Sequence, residues 1–177
     1  ESHYAEILEQ ERFFKKMTEE AKRKYMNDPL NFSMMMVSNG DADGLVAGAI
    51  TSTSDVLRSA IRIVGVTPES KWVSSSFFMI SPAADAAYTF ADCAVIPEPT
   101  SDQLASIAGE SASNHRLLTG EEPRVAFLSF STKGSANHRR VTHVKEAVKI
   151  FAEKHPDILH DGELQLDSAL VPAVAAN

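Results

Sequence analysis

The chain has 177 residues, 44% of them hydrophobic, which suits one compact domain or two small lobes and is too apolar for general disorder. Asp and Glu total 24 against 17 Lys and Arg, a formal charge of -7 that argues against broad non-specific binding to nucleic acid or an anionic membrane, though a local pocket can still oppose the global charge. Cys93 is the only cysteine, so no intrachain disulfide framework exists, the expected setting is the reducing cytoplasm, and no apolar run approaches transmembrane length.

Tyr4, Ile7, Leu8, Phe13, Phe14, Met17, Ala21 and Tyr25 recur at mostly helical spacing among charged residues. They predict a long amphipathic helix whose apolar stripe covers a sheet, ended by Asn27-Asp28-Pro29. Phe32–Val37, with three consecutive methionines, reads as a strand. The turn Ser38–Gly44 follows, then a small-residue helix from Leu45 to Ala49. Gly40 permits a sharp exit, and Asp41 or Asp43 could cap that helix. Their spacing lacks the full calcium-loop pattern and has no nearby histidine, so no metal is expected there.

Thr51–Ser54 reads as a hydroxyl-rich helix end, after which Val56, Leu57, Ala60, Ile61 and Ile63 carry another helix towards Gly65. A strand centred on Phe77–Ile80 stops at Pro82, and a second short strand lies within Tyr88–Pro99 and holds Cys93. Nothing in the sequence pairs Cys93 with a base, so it reads as a buried structural thiol. Thr100 caps a helix bearing Ile107, Ser111, His115 and Leu118, which ends near Gly120.

The apolar run Val125–Leu128 is a buried strand that empties into Ser129, Ser131, Thr132, Lys133, Gly134 and Ser135, with a helix to follow. A strand exit of this kind can hold an oxyanion. Turn amides and the helix N-terminus donate, Gly134 lets the backbone approach, and Lys133 adds charge. The same residues would also serve an ordinary strand-to-helix loop that caps the next helix. Asn137-His138-Arg139-Arg140 opens that helix, and its positive charge there sits mildly against the helix dipole. Val141, Val144, Ala147, Val148 and Phe151 form its apolar stripe, which stops before Pro156. His138 and His143 do not share a face and make a poor metal pair. Asp161–Asp167 reads as a turn and a short alternating segment, in which Glu163 and Asp167 are carboxylates of interest if they come near the Lys133 loop. The alternation as a whole predicts an α/β sheet with helices packed on both faces.

Four blocks in order, NGDADGLVAGA from Asn39, YTFADCAVIPEPT from Tyr88, PRVAFLSFSTKGS from Pro123 and DGELQLDSALVPAVA from Asp161, closely resemble the phosphate acetyltransferase, or phosphotransacetylase, family. The resemblance covers nearly all of the chain after Asn31. It implies a two-domain α/β fold around a cleft, usually assembled as a homodimer. It also implies reversible acetyl transfer between acetyl-CoA and inorganic phosphate, with no tightly bound cofactor, no metal, and neither membrane nor nucleic acid as partner. Coenzyme A and phosphate or acetyl phosphate are the implied substrates. Ser131, Thr132, Lys133, Gly134 and Ser135 match the family's cleft loop and are the implied substrate-binding residues, with Asp41, Asp43 and Gly44 as a weaker second turn. Residues 1–177 read as a partial phosphate acetyl/butyryl transferase domain, missing N-terminal and C-terminal portions. The principal catalytic residues are expected beyond it, and the piece alone is expected to turn over little. A phosphate butyryltransferase, or a phosphotransacetylase-like module of a malic enzyme, are the alternatives that stay open.

Overall fold

The computed structural model describes Tyr4, residues 14–68 and residues 72–175. The chain divides into two compact units, Glu1–Val73 and Ser74–Asn177, taken here one at a time. Residues 5–13 of the predicted first helix lie outside the described residues, and its part from Phe14 onward is two short helices rather than one long one.

In the first unit a short 3-10 helix, Phe14–Lys16, precedes α1 (Glu19–Met26). Thr18 caps α1 by accepting from the Ala21 amide, and Glu19 and Glu20 complement the helix dipole. The segment read as a methionine-rich strand is instead α2 (Pro29–Ser38). Asn27-Asp28-Pro29 ends one helix and starts the next. The Asp28 carboxylate accepts from the amides of Leu30 and Asn31, and Pro29 has its φ preset for the first helical position. The end of α2 is a Schellman turn: Asp41 N–H donates to Met36 O at 2.8 Å and Gly40 N–H to Val37 O at 3.1 Å.

Leu45–Ala49 forms no helix, since Gly48 sits at φ 109°, outside helical geometry. Val46 and Ile50 stand almost wholly in solvent. Ser52, expected at a helix end, instead begins α3 (Thr53–Ile63) by accepting from the Asp55 amide. The core of this unit is Phe14, Met26, Met34, Met35 and Ile63, so its described part is helix on helix, with no strand for an N-terminal stripe to cover. Asn31 stitches it together. Its side chain donates to Tyr25 O and accepts from the buried Ser59 hydroxyl on α3.

The second unit opens with an antiparallel hairpin, β1 (Ser76–Ile80) and β2 (Ala87–Ala91), in the register Phe78 to Thr89. Cys93 lies past the end of β2, in a turn, with its thiol on Phe90 O. That turn is held by Asp92, whose carboxylate accepts from the amides of Ala94, Val95 and Ile96 and from the Ser75 hydroxyl. Next, α4 (Ser101–Thr119) starts with a capping box between Thr100 and Gln103 and ends at Gly120.

β3 (Arg124–Leu128), α5 (Arg139–Lys154) and β4 (Leu159–Leu164) form a parallel strand–helix–strand unit, with Phe127 opposite Gly162. A side chain at Gly162 would meet Phe127 Cβ at 2.7 Å, so the close approach of these strands requires glycine. Asp161-Gly162-Glu163, expected as a turn, therefore lies within a strand. Two short helices, α6 (Leu166–Leu170) and α7 (Pro172–Ala175), follow. Ala105, Phe127, Ala147 and Phe151 form the core between α4, α5 and β3. The α/β class holds; among the described residues its sheets are the hairpin and the parallel pair.

Candidate functional site

The loop between β3 and α5 is built from its backbone outward. Ser129 N–H donates to Leu164 O at 2.8 Å, which carries the β3–β4 ladder one step past the strand. A tight turn follows, in which Ser135 N–H donates to Thr132 O at 3.0 Å. Its two central residues, Lys133 (φ 47°) and Gly134 (φ 86°), are both left-handed, the mark of a type I′ turn. Glycine is at home there. A lysine costs about 1–2 kcal/mol in that region through its Cβ. The Ser135 hydroxyl closes the turn from inside by accepting from the Thr132 amide at 3.1 Å.

Beneath the turn lies the carboxylate of Glu163, on β4, 1% exposed. Its Oε1 accepts from Gly134 N–H at 2.6 Å and from the Ser131 hydroxyl at 3.3 Å, and Lys145 Nζ of α5 stands 3.4 Å away. The Glu163 carbonyl accepts from Lys133 N–H at 3.1 Å. Burial pushes the Glu163 carboxyl up, but amide hydrogen bonds, Gly134 among them, and the Lys145 charge outweigh it and leave it below the usual carboxylate range. Ser131, fully buried, accepts from Ala136 N–H at 3.0 Å. With its single proton directed to Glu163, the Ser135 hydroxyl 3.2 Å away is the donor to Ser131.

The amides of residues 131–136 thus all have partners inside the protein. At the tip, the Lys133 ammonium is paired with Asp161 of β4, and both side chains are more than half exposed. That hydrogen bond holds the Asp161 carboxyl below its ordinary range. The Thr132 hydroxyl accepts from Gln165 N–H at 2.9 Å, while its own nearest acceptors, Gln165 Oε1 and Ser168 Oγ, are both 3.4 Å away. What the loop keeps for a ligand is therefore chiefly one ammonium and one loosely held hydroxyl.

Glu163 does meet the Lys133 loop, whereas Asp167 turns to the Ser168 amide. Asp161 and Lys145 enter the site without having been singled out. Asp161 is hidden in a polar run that looks like a turn, and Lys145 is an unmarked cation on a helix face. The Arg139 and Arg140 charges at the start of α5 are answered by Glu98, at 3.2 and 3.7 Å, an exposed arrangement. Asp41, Asp43 and Gly44 belong to the first unit and are exposed. Neither aspartate caps a helix. Asp41 accepts from the Tyr4 hydroxyl at 2.6 Å and from Asn39 at 2.8 Å, and that bond raises the Tyr4 phenol above its usual range. Among the described residues no helix is long and apolar enough to cross a membrane.

A family model described as phosphate acetyl/butaryl transferase matches residues 1–177. A phosphate acetyltransferase of Thermoanaerobacterium thermosaccharolyticum is 50% identical over 165 residues, covering 91% of this chain and 50% of its own length. Among solved structures, the EutD phosphotransacetylase from Staphylococcus aureus superposes with a TM-score of 0.83 at 43% identity, over 98% of this chain and 53% of that one. A phosphotransacetylase from Streptococcus pyogenes gives a TM-score of 0.86 at 39% identity, over 98% and 52%. The chain spans about half the length of the curated relatives it matches first.

Proposed function

We propose that this chain, which belongs to the phosphate acetyl/butaryl transferase family, serves in the whole protein the reversible transfer of an acetyl group between coenzyme A and inorganic phosphate. The relatives between 40% and 50% identical that carry the name phosphate acetyltransferase support acetyl over butyryl as the group moved. In the proposed reaction the coenzyme A thiolate attacks the carbonyl carbon of acetyl phosphate. A C–S bond forms, the C–O bond to phosphate breaks, and phosphate leaves with that electron pair, with no acetyl group resting on the protein. Such a step needs orientation and stabilisation of developing negative charge rather than a resident metal or cofactor.

Within the proposed substrate loop Ser131–Ser135, the Lys133 ammonium and the Thr132 hydroxyl are our substrate contacts, and Ser131, Gly134 and Ser135 shape the loop from inside; the exposed turn of Asp41, Asp43 and Gly44 in the first unit is a separate proposed binding turn. The observation that carries this is Lys133, a cation held at the tip of a left-handed turn where glycine is more stable, against an exposed carboxylate. An exposed ion pair is worth about 0–1 kcal/mol, so a phosphate dianion can displace Asp161 at little cost. Coenzyme A and phosphate are the partners this reading requires, and a homodimer in the cytoplasm is the assembly and setting it implies.

The test is acetyl-CoA formation from acetyl phosphate and coenzyme A by the full-length protein. Lys133→Ala is expected to raise KM for acetyl phosphate about tenfold, the loss of one charge-assisted contact. An unchanged KM would reject Lys133 as a substrate contact. Faster turnover of butyryl phosphate would overturn the acetyl assignment.

A further inference from the structure

We propose that Glu163 is a positioning residue for the substrate loop, an internal carboxylate that fills the loop's own anion cradle and so fixes how Lys133 is presented. The inference rests on the reading of residues 131–135 as a substrate loop. The polar strand exit expected to wrap a substrate oxyanion wraps Glu163 instead. The Gly134 amide and the Ser131 hydroxyl both point at Oε1, and the Lys133 amide is fixed to the carbonyl of the same residue. Every one of these bonds acts on the left-handed turn or on the serine beneath it. Glu163 therefore holds Lys133 in a backbone geometry that a lysine does not choose unaided.

Lys145 completes the device. A buried carboxylate under an anion site would repel the substrate, and the ammonium 3.4 Å from Oε1 supplies the opposing charge. Lys145 is about half exposed, so it can neutralise Glu163 while remaining hydrated. The two lysines thus divide the work. Lys145 answers the internal anion, and Lys133, whose ion-pair partner among the described residues is exposed Asp161, is left for the incoming one. Glu163 touches no reacting atom. It acts through the loop.

The experiment is a double-mutant cycle in the full-length protein with Glu163→Gln and Lys133→Ala, read as KM for acetyl phosphate and kcat. Glu163→Gln keeps the shape and an acceptor for the Gly134 amide but removes the charge. It is expected to raise KM about tenfold with kcat changed less than about twofold, and to add less than about twofold once Lys133 is gone. Amide exchange at Gly134 and Ala136 should quicken in Glu163→Gln while β3 stays protected. Fully additive effects, or an unchanged KM in Glu163→Gln while Lys133→Ala raises it, would overturn the positioning role and leave the substrate loop standing. An unchanged KM in Lys133→Ala would bring down the substrate loop and this inference with it. Should Glu163→Gln fail to fold, the more exposed Lys145→Met decides. It should raise KM about threefold at constant kcat, and no rise would refute the charge-balancing scheme.

Discussion

Lys133 offers a clean separation of stability from binding. Its φ of 47° costs an L-residue about 1–2 kcal/mol, a penalty that alanine shares and glycine escapes. Glycine gives back about 0.4–1 kcal/mol through the greater freedom of its unfolded chain. Both Lys133→Ala and Lys133→Gly lose the exposed ion pair with Asp161, so that contribution cancels between them. Lys133→Gly should therefore be more stable than Lys133→Ala by about 1 kcal/mol, while the two raise KM for acetyl phosphate equally. With urea m-values of about 1–3 kcal/mol/M, the difference appears as a midpoint shift of about 0.3–1 M. Equal midpoints at equal m, or a more stable alanine variant, would show that residue 133 is not left-handed in solution. A glycine variant that kept wild-type KM would show that the backbone, not the ammonium, meets the ligand.

Two further outcomes test the scaffold. Gly109, buried in α4, would place a Cβ 2.6 Å from Nε2 of His155, whose ring stacks on Phe151 at 4.9 Å between centroids. Gly109→Ala should destabilise by about 1 kcal/mol, overpacking of about 1–3 kcal/mol outweighing a propensity gain near 1. In a His155→Ala background the same change should stabilise by about 1 kcal/mol, and a cost of the same sign in both backgrounds would refute the clash. The second outcome concerns acid. Asp161 lies below its ordinary range through Lys133, and Glu163 and Asp92 lie below theirs because hydrogen bonds outweigh burial. Depressed carboxyls contribute stability that is complete above their unfolded values, near pH 4, and is lost as pH falls through the lower folded values. Urea midpoints should decline below about pH 4.5, and Asp92→Asn should make that decline shallower; an unaltered slope would remove Asp92 from the account.

What could be read from the chain was what a few adjacent residues decide. Thr100 and Gln103 form a reciprocal cap, Gly120 ends the same helix, and Val125–Leu128 is a strand because its apolar run is short and bounded. Where two signals shared a residue, the sequence was ambiguous. Asp28-Pro29 closes α1 and opens α2, and because only the closing role is marked locally, the methionines that follow read as a strand. The polar run at Asp161 hid β4 because its charges are answered by lysines distant in sequence, and no local pattern records that. The candidate loop was visible as composition. Its left-handed lysine and the carboxylate inside it were not.

That carboxylate bears on how the proposed reaction can run both ways. A loop of buried amides without an acceptor costs about 1–3 kcal/mol for each unsatisfied donor, and a substrate that supplied the missing acceptor would be held tightly and released slowly. Here Glu163 and the serine hydroxyls satisfy the amides before any ligand arrives. The loop is thus ordered in advance, and little ordering entropy is charged to binding. In the proposed reading, recognition falls to Lys133, which would exchange one exposed carboxylate for one phosphate, a trade with a small net free energy in either direction. An enzyme that must bind and release phosphate on one side of its equilibrium and acetyl phosphate on the other is served by a weak, preformed contact of this kind. A deep amide nest would favour capture over turnover.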